Sequence, residues 1–351
     1  MSLTFERRAI RSLKVGVVPP THVLALTVGA GPLRTFIDQE VRAQAAGKKR
    51  PLIVLGEWGS GKSNLLCYLR EYCIKNNHPV SYINLNGRSS ALNHPQRFYH
   101  RVASDMRLPD GHGRGIPALL QLLMNEKNRQ SSAKWISKNL RNNSELARAL
   151  YLLFNGDLSK LQVLMGNDIA WGSYPYQRAK AMRRLSDLGG LVKAIGMKGL
   201  MVQFDELETM NQLWNSVSRK GAYRVLNEIC HLDDVWPIFA ATETVNSMIA
   251  SDANSMMTKD KTVTSFFQTY FDLPVVTPPV VDQVLAAELL DRIERLYRRV
   301  YAPPEDVHPR DVLSKWTKMA LRNPRRLIRL GIDHLDRHRS LPDLQSLIGT
   351  S

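Results

Sequence analysis

Short apolar runs alternate with long amphipathic stretches along most of the chain. Residues 52–55 and 200–204 are largely apolar, which is typical of strands buried on both faces of a sheet. Residues 236–241 repeat this character, residues 80–85 alternate between apolar and polar, and residues 270–273 indicate a short fifth strand. Strands that alternate with helices form parallel sheets covered on both faces. The pattern therefore predicts an α/β fold with a parallel five-stranded sheet.

Helical periodicity fills the rest of the chain and predicts its domain organisation. Residues 1–45 carry two helical patterns separated by prolines and glycines, and residues 89–196 form a long basic stretch with helical spacing. We therefore predict a helical segment at residues 1–45 and an α/β domain at residues 46–275, with the helical insertion inside it. A helical lid is predicted at residues 276–351.

The stretch GEWGSGKS, which follows the first predicted strand, has the spacing G-x-x-x-x-G-K-[ST] of a phosphate-binding loop. Glycines allow the backbone amides to turn towards phosphate oxygens, and residues 64–75 continue as a helix whose N-terminus favours an anion. Lys62 is expected to contact the β- and γ-phosphates and Ser63 to bind Mg²⁺. A glycine-rich turn alone gives no reason for this lysine. The residues predicted to bind ATP are Gly56, Glu57, Trp58, Gly59, Ser60, Gly61, Lys62, Ser63 and Asn64.

Two carboxylates, Asp205 and Glu206, directly follow the predicted strand at residues 200–204. Ligands of parallel α/β sheets lie at the carboxyl ends of the strands, where the phosphate loop also opens. We assign Asp205 to Mg²⁺ through water and Glu206 to the orientation and polarisation of the attacking water. Acidic pairs after apolar runs are common, so this assignment depends on the phosphate loop.

Three further polar residues follow predicted elements. Thr242 lies just past the fourth strand, where it could sense the γ-phosphate or hold the attacking water, and the alternative is a threonine that is simply satisfied at a strand end. Asn323 is predicted to cap a helix that starts at Pro324, with Arg325 in its first turn and able to reach a phosphate. Arg219 is the candidate for an arginine that completes the site of a neighbouring subunit, and Lys220 and Arg224 compete with it.

The net charge indicates the class of partner, and the cysteine content indicates the cellular compartment. The chain of 351 residues has 48 Lys and Arg against 32 Asp and Glu, a formal charge of +16, which favours a polyanion such as double-stranded DNA bound without sequence preference. Solvated helix faces are the alternative explanation for each cluster. The three cysteines form no disulfide or metal-ligand pattern, and the N-terminus lacks a signal peptide, so a cytoplasmic protein without membrane contact is expected. The basic surfaces proposed for DNA are Arg183 with Arg184, Arg295 with Arg298 and Arg299, and Arg326 with Arg329.

Several stretches resemble one family, the ATP-binding proteins of BREX-type phage-defence systems, a branch of the AAA+ ATPases similar to origin-recognition proteins. The resemblance covers nearly the whole chain and is carried by RRAIRSLKVGV, GEWGSGKSNLLCYLRE, VSYINLN, HPQRFYHRV, GLMVQFDELETM, AYRVLNEI, LPVVTPP and RIERLYRRVY. It implies ATP and Mg²⁺ at the phosphate loop, metal and water handling by Asp205 and Glu206, and sensors at Thr242 and Arg325. It also implies phage defence with partner proteins. Lys259 and Lys261 stand where related proteins often have an arginine finger, and little chain remains for a winged-helix domain.

The leading hypothesis is an AAA+ ATPase that hydrolyses ATP while it assembles as a homo-oligomer on duplex DNA within a defence complex. The alternative is a slow-turnover nucleotide switch or scaffold that recruits defence partners. The intact acidic pair favours turnover, whereas the missing finger arginine favours the scaffold. A small-molecule kinase fits poorly, because the chain shows no acceptor pocket and such an enzyme has no use for a charge of +16.

Overall fold

A computed structural model describes residues 3–45, 50–85, 91–168, 173–213, 215–256, 260–301, 303–319 and 323–338. The chain divides into two compact units that are each assembled from separated segments. The helical unit comprises residues 1–35, 57–71 and 278–351, and the sheet unit comprises residues 36–56 and 72–277. The predicted division into three consecutive domains stays a prediction.

The sheet unit is built on five parallel strands in the order β2-β3-β4-β1-β5. The strands are β1 (Leu52–Leu55), β2 (Val80–Asn84), β3 (Leu200–Asp205), β4 (Val235–Ala241) and β5 (Val275–Val276). Every residue of β3 and β4 is buried, as expected for central strands with helices on both faces. The predicted α/β fold class and parallel five-stranded sheet are confirmed.

Sixteen α-helices are present among the described residues. They are α1 (Leu3–Lys14), α2 (Val23–Leu26), α3 (Ala30–Ala45), α4 (Lys62–Lys75), α5 (Pro95–Asp105), α6 (Gly115–Met124), α7 (Glu126–Arg141), α8 (Glu145–Phe154), α9 (Leu161–Leu164), α10 (Tyr174–Ala194), α11 (Ser216–Cys230), α12 (Glu243–Met256), α13 (Lys261–Phe271), α14 (Gln283–Arg298), α15 (Leu313–Thr317) and α16 (Pro324–Arg337). The predicted helical insertion corresponds to α5 through α10.

The prediction of a fifth strand at residues 270–273 is wrong, because Tyr270 belongs to the last turn of α13. Asp260 caps this helix by accepting hydrogen bonds from the backbone amides of Thr262 and Val263. Tyr270 belongs to a set of apolar residues that recur at helical spacing and are buried on one face of the helix, namely Val263, Phe266, Phe267 and Tyr270. The fifth strand follows at Val275–Val276.

The helical unit has its own apolar core, to which α1, α14, α15 and α16 contribute. Asn323 begins α16 as predicted, since its side-chain oxygen accepts a hydrogen bond of 2.8 Å from the amide of Arg326. The buried face of α16 consists of Leu327, Ile328, Gly331, Ile332 and Leu335, which recur every three or four residues.

None of the described helices combines the length and the apolar character needed to cross a lipid bilayer.

Candidate functional site

Asp205 ends β3 and is held in place by two hydrogen bonds. Its Oδ2 accepts a bond of 2.7 Å from the Tyr82 hydroxyl, and its Oδ1 accepts one of 3.0 Å from the amide of Glu206. The residue is only 2% exposed. A carboxylate can accept about four hydrogen bonds, so these two partners orient Asp205 and leave lone pairs for water in the coordination sphere of a cation.

Glu206 has an unusual backbone conformation for a residue with a side chain. Its φ of 61° and ψ of 49° lie in the left-handed region. This conformation costs about 1 to 3 kcal/mol for a residue other than glycine, and such strain clusters at functional sites. The Glu206 carbonyl accepts hydrogen bonds from the amide and hydroxyl of Thr209, at 3.0 and 2.9 Å. These bonds fix the turn that presents the half-buried Glu206 side chain.

Thr242 follows β4 at the same edge of the sheet. The end of β1 is held beside it, because the amide of Gly56 donates to the Ala241 carbonyl at 3.1 Å. The Thr242 carbonyl accepts the amide of Val245 at 2.9 Å and so starts α12. Thr242 is 1% exposed, and among the described residues its Oγ1 has no hydrogen-bond partner. A buried hydroxyl in this condition costs about 1 to 3 kcal/mol, which favours a ligand at this strand end.

The phosphate loop itself has the backbone that its glycines predict. Gly59 and Gly61 have φ values of 80° and 107°, which side chains disfavour. The amide of Ser60 donates to the Glu57 carbonyl at 3.1 Å, and the amide of Leu65 donates to the Gly61 carbonyl at 2.9 Å as α4 begins. The strand, tight loop and helix required by the motif are therefore confirmed.

Lys62 is the most buried side chain of the loop, at 7% exposed, whereas Ser63 is exposed. The Lys62 Nζ donates to the Glu57 carbonyl at 3.2 Å and lies 5.6 Å from the centre of the Trp58 ring. Trp58 is 71% exposed. The Ser60 hydroxyl is buried without a hydrogen-bond partner in the described part of the chain. The Lys62 ammonium, which is fixed in position, and the Ser60 hydroxyl, which has no partner, are groups that can bind phosphate oxygens.

The start of α16 lies beside the phosphate loop within the helical unit. The Asn323 Nδ2 is 3.7 Å from the position that a Cβ on Gly59 would take. Gly16, with φ of 76°, packs against the backbone of Arg325, and the Arg325 side chain is exposed. The structure thus brings together two stretches that are 264 residues apart (323 minus 59). Asn64 makes a further link, because its Nδ2 donates to the Thr27 hydroxyl at 3.2 Å.

The finger candidates in α11 are engaged within the chain. The guanidinium of Arg219 lies 3.2 Å from Asp252 and donates to the Leu213 carbonyl at 3.0 Å. Arg224 is paired with Asp260, the cap of α13. A role for Arg219 in a neighbouring site stays a prediction. Lys261 is exposed at the start of α13, and Lys259 lies outside the described residues.

Arg184 does not lie on a basic surface, so this part of the DNA prediction is wrong. It is 3% exposed, and its guanidinium makes two hydrogen bonds of 2.6 and 2.7 Å with Asp168 and one of 3.0 Å with Glu145. Partial burial raises the pKa of Asp168, but hydrogen bonds and attraction from Arg184 and Lys180 outweigh this effect, and the pKa lies below its usual range. The neighbouring Arg183 is exposed.

A second predicted surface is also partly occupied by internal contacts. Arg298 is paired with Glu294 at 2.8 Å and donates to the Val307 carbonyl at 3.0 Å. Arg299 lies 3.6 Å from Glu6. Arg295, Arg326 and Arg329 are exposed.

Sequence reasoning missed Tyr82, whose hydroxyl orients Asp205. Tyr82 lies on β2, next to β3 in the sheet, and Asn84 of β2 pairs in register with Asp205. A tyrosine in an alternating strand is ordinary, and its partner is 123 residues away in the chain. A signal for this contact is therefore missing from the local sequence.

The candidate metal ligands suit Mg²⁺ better than a metal whose ligands all come from protein side chains. No group of three or more His, Cys, Asp or Glu side chains among the described residues is placed to hold a metal ion. Mg²⁺ is commonly bound through one or two protein oxygens together with phosphates and water. Ser63, which is exposed, and Asp205, which has open lone pairs, are residues of this kind.

Comparison with known proteins identifies a matching family and several similar solved structures. The model of the family described as BREX system ATP-binding protein BrxC/D matches residues 4–180 and 174–237. A Walker-type ATPase of Pyrococcus abyssi has a TM-score of 0.43 and 16% sequence identity, over 85% of this chain and 67% of that chain. No curated protein sequence matches. The matched residues include the phosphate loop and the acidic pair, and on this match the chain belongs to the family of BREX system ATP-binding proteins.

Proposed function

We propose that this protein is a Mg²⁺-dependent ATPase of a bacterial phage-defence system, acting in the cytoplasm as a homo-oligomer on duplex DNA with other defence proteins. Membership of the BREX ATP-binding family supports ATP and defence partners. The charge of +16 supports a polyanionic partner. An α/β sheet with polar residues at its carboxyl edge supports nucleotide chemistry.

Each site residue has a role that follows from its chemistry. The amides of residues 56–63 and the Lys62 ammonium bind phosphate oxygens, and the Ser63 hydroxyl and Asp205 hold the cation. Bound Mg²⁺ neutralises charge that develops on the phosphates. Thr242 and Arg325 are proposed as sensors of the γ-phosphate.

The observation that carries hydrolysis is the conformation of Glu206. The left-handed backbone costs about 1 to 3 kcal/mol at a glutamate, and its place directly after a buried candidate metal ligand supports a functional role for Glu206. The turn held by Thr209 orients the Glu206 carboxylate, and this carboxylate accepts a proton from, or a hydrogen bond from, the attacking water. Asp205 is assigned to the cation instead, because two hydrogen bonds fix its orientation and its remaining lone pairs can accept from water in the coordination sphere of a cation.

Two variants test the proposal through separate readouts. Lys62→Ala should weaken ATP binding at least tenfold, measured by calorimetry, because a charged phosphate contact is lost. Glu206→Gln should bind ATP normally and hydrolyse it at least 100-fold more slowly, since the amide does not accept a proton. Lys75→Ala, an exposed lysine at the other end of α4, is the matched control and should resemble wild type. Equal ATP affinity for Lys62→Ala and Lys75→Ala would contradict the site.

The second candidate function is a slow-turnover nucleotide switch or scaffold. It is favoured by the contacts of Arg219, which bonds Asp252 and the Leu213 carbonyl of its own chain. An arginine used in this way is not free to stabilise a transition state in a neighbouring subunit. If wild type and Glu206→Gln turn over ATP at the same low rate while ATP binding is intact, the scaffold is the better description.

A further inference from the structure

One face of α7 carries a line of cations that the motif analysis did not single out. Counting 100° per residue, Lys127, Lys134, Lys138 and Arg141 fall within about 60° of one another around the helix axis. At about 1.5 Å per residue they extend over roughly 21 Å. All four side chains are exposed. We refer to these four residues as the α7 stripe.

The stripe lies opposite the side of α7 that packs into the sheet unit. Ser132 and Ile136 are buried and lie about 160° from Lys134 around the axis. The Ser132 hydroxyl donates to the Leu123 carbonyl at 3.1 Å, and the indole nitrogen of Trp135 lies 3.5 Å from the Cβ position of Gly190 on α10. These contacts fix the rotation of α7, so the stripe points to solvent.

The stripe differs from Arg184 and Arg298, because its charges are not used in contacts within the fold. Within the described ranges, none of its four side chains forms an ion pair or a hydrogen bond with another residue. Arg184, in the same insertion, is bound to two carboxylates. Four adjacent cations without partners repel one another, and this cost is offset when an anion binds.

The chemistry of the stripe selects the class of partner. Lys134, Lys138 and Arg141 line a shallow groove together with Ala133, Ser137 and Asn142, so two polar side chains, Ser137 and Asn142, lie beside these three cations. Phosphate oxygens of nucleic acids are bound by this combination of Lys, Arg, Ser and Asn side chains. A membrane surface also attracts cations, but a helix that lies in a bilayer needs an outward apolar face, and the apolar side chains of α7 point into the core.

We propose that the α7 stripe binds the phosphate backbone of duplex DNA and is the principal DNA contact of this protein. Duplex DNA presents about one charge per 1.7 Å of axis, so a stripe of roughly 21 Å meets several phosphates at once. No base edge is read, and binding is independent of sequence. This inference rests on the proposed function only for the choice of DNA as partner, and it replaces Arg184 and Arg298 as the contacting residues.

The test compares two double charge reversals that change the net charge equally. Lys134→Glu with Lys138→Glu removes the centre of the stripe. Arg7→Glu with Arg11→Glu is the matched control, because these exposed arginines have the same spacing on α1. Affinity for two unrelated 30-base-pair duplexes is measured by fluorescence anisotropy between about 50 and 200 mM salt.

The stripe variant should lose about tenfold or more in affinity for both duplexes, and the slope of log K against log salt should flatten by about two units, one for each lost phosphate contact. ATP affinity and turnover, measured on the same samples, should stay at wild-type values. The control should keep the wild-type slope.

Four outcomes would overturn the proposal. An equal loss in both variants would mean that bulk charge, not the stripe, governs affinity. Unchanged binding by the stripe variant would reject the stripe and leave the proposed ATPase on DNA intact. No binding of duplex by wild type, or displacement of DNA by polyglutamate of matched charge at the same concentration, would assign the surface to an acidic protein and also reject the DNA part of the proposed function.

Discussion

Buried polar groups at the carboxyl edge of the sheet and buried polar groups around Arg184 differ in how far their hydrogen bonds are satisfied within the fold. At Arg184, bonds to Asp168 and Glu145 use the guanidinium on both sides. At the sheet edge, the Thr242 hydroxyl has no partner among the described residues, and Glu206 keeps a strained backbone. Groups that are fully bonded inside the fold add stability, whereas open or strained groups cost stability that a ligand can recover. This difference distinguishes polar groups that stabilise the fold from polar groups that are candidates for ligand binding or catalysis.

The largest effect is expected at the fully bonded cluster. Arg184→Ala leaves Asp168 and Glu145 without their main partner and should lower the free energy of unfolding by about 3 kcal/mol. Urea denaturation measures this change. Arg183→Ala, at the exposed neighbouring position, should stay within about 0.5 kcal/mol of wild type. A small loss of stability for Arg184→Ala would mean that the bonds of Arg184 to its two carboxylates do not stabilise the fold.

His78, which is buried just before β2, tests whether a buried polar atom without a hydrogen-bond partner lowers stability at the other edge of the sheet. Burial lowers the pKa of His78 to about 4, and its Nε2 has no partner in the described part of the chain. Below pH 6.5 the unfolded chain takes up a proton that folded His78 does not, so stability falls as pH falls towards 4. The loss should be about 1.5 kcal/mol between pH 6.5 and 5. His78→Gln should flatten this dependence in urea denaturation, and an unchanged slope would contradict it.

Strain at Glu206 gives a smaller effect of opposite sign. Glu206→Gly should raise the free energy of unfolding by about 1 kcal/mol, because glycine adopts the left-handed conformation without strain, and ATP hydrolysis should be lost. Glu206→Ala should lose hydrolysis without this gain in stability. If both variants are equally stable, the conformation is not strained and no longer marks a functional residue.

The smallest effect is expected at Thr242. Thr242→Val replaces an open hydroxyl with a methyl group and should leave stability unchanged or raise it by less than about 1 kcal/mol, while ATP turnover falls. Thr209→Val is the matched control. Its hydroxyl donates to the Glu206 carbonyl at 2.9 Å, and its loss should cost about 1 kcal/mol. A similar cost at both positions would mean that Thr242 has a structural role.

Local patterns predicted the strands well and misread one helix. The strand Leu52–Leu55 lies where its apolar run predicts, and β2, β3 and β4 agree with prediction within one residue at each end. Tyr270 and Phe271, the last residues of α13, favour a strand in the local pattern because a window of four residues cannot separate the two periods. The capping carboxylate of Asp260, ten residues before Tyr270, was the missed signal.

Charge was the least predictable property of individual residues. Arg183 and Arg184 are adjacent and identical in type, yet one is exposed and the other buried. The partners of Arg184 are 16 and 39 residues away, so a local window does not contain them. The α7 stripe was overlooked for the same reason, since only packing shows which lysines remain without partners.

Sequence by itself determined the phosphate loop, the acidic pair after β3 and the cap of α16. These features depend on interactions within a few residues of chain, namely glycine conformations, strand ends and a side chain that meets the third amide ahead. Only the tertiary structure decided that Tyr82 orients Asp205 and that Asn323 lies beside Gly59. It also decided which arginines are paired with carboxylates. Such contacts join distant segments, and they are set by how the helices and strands pack to bury the core rather than by any local pattern.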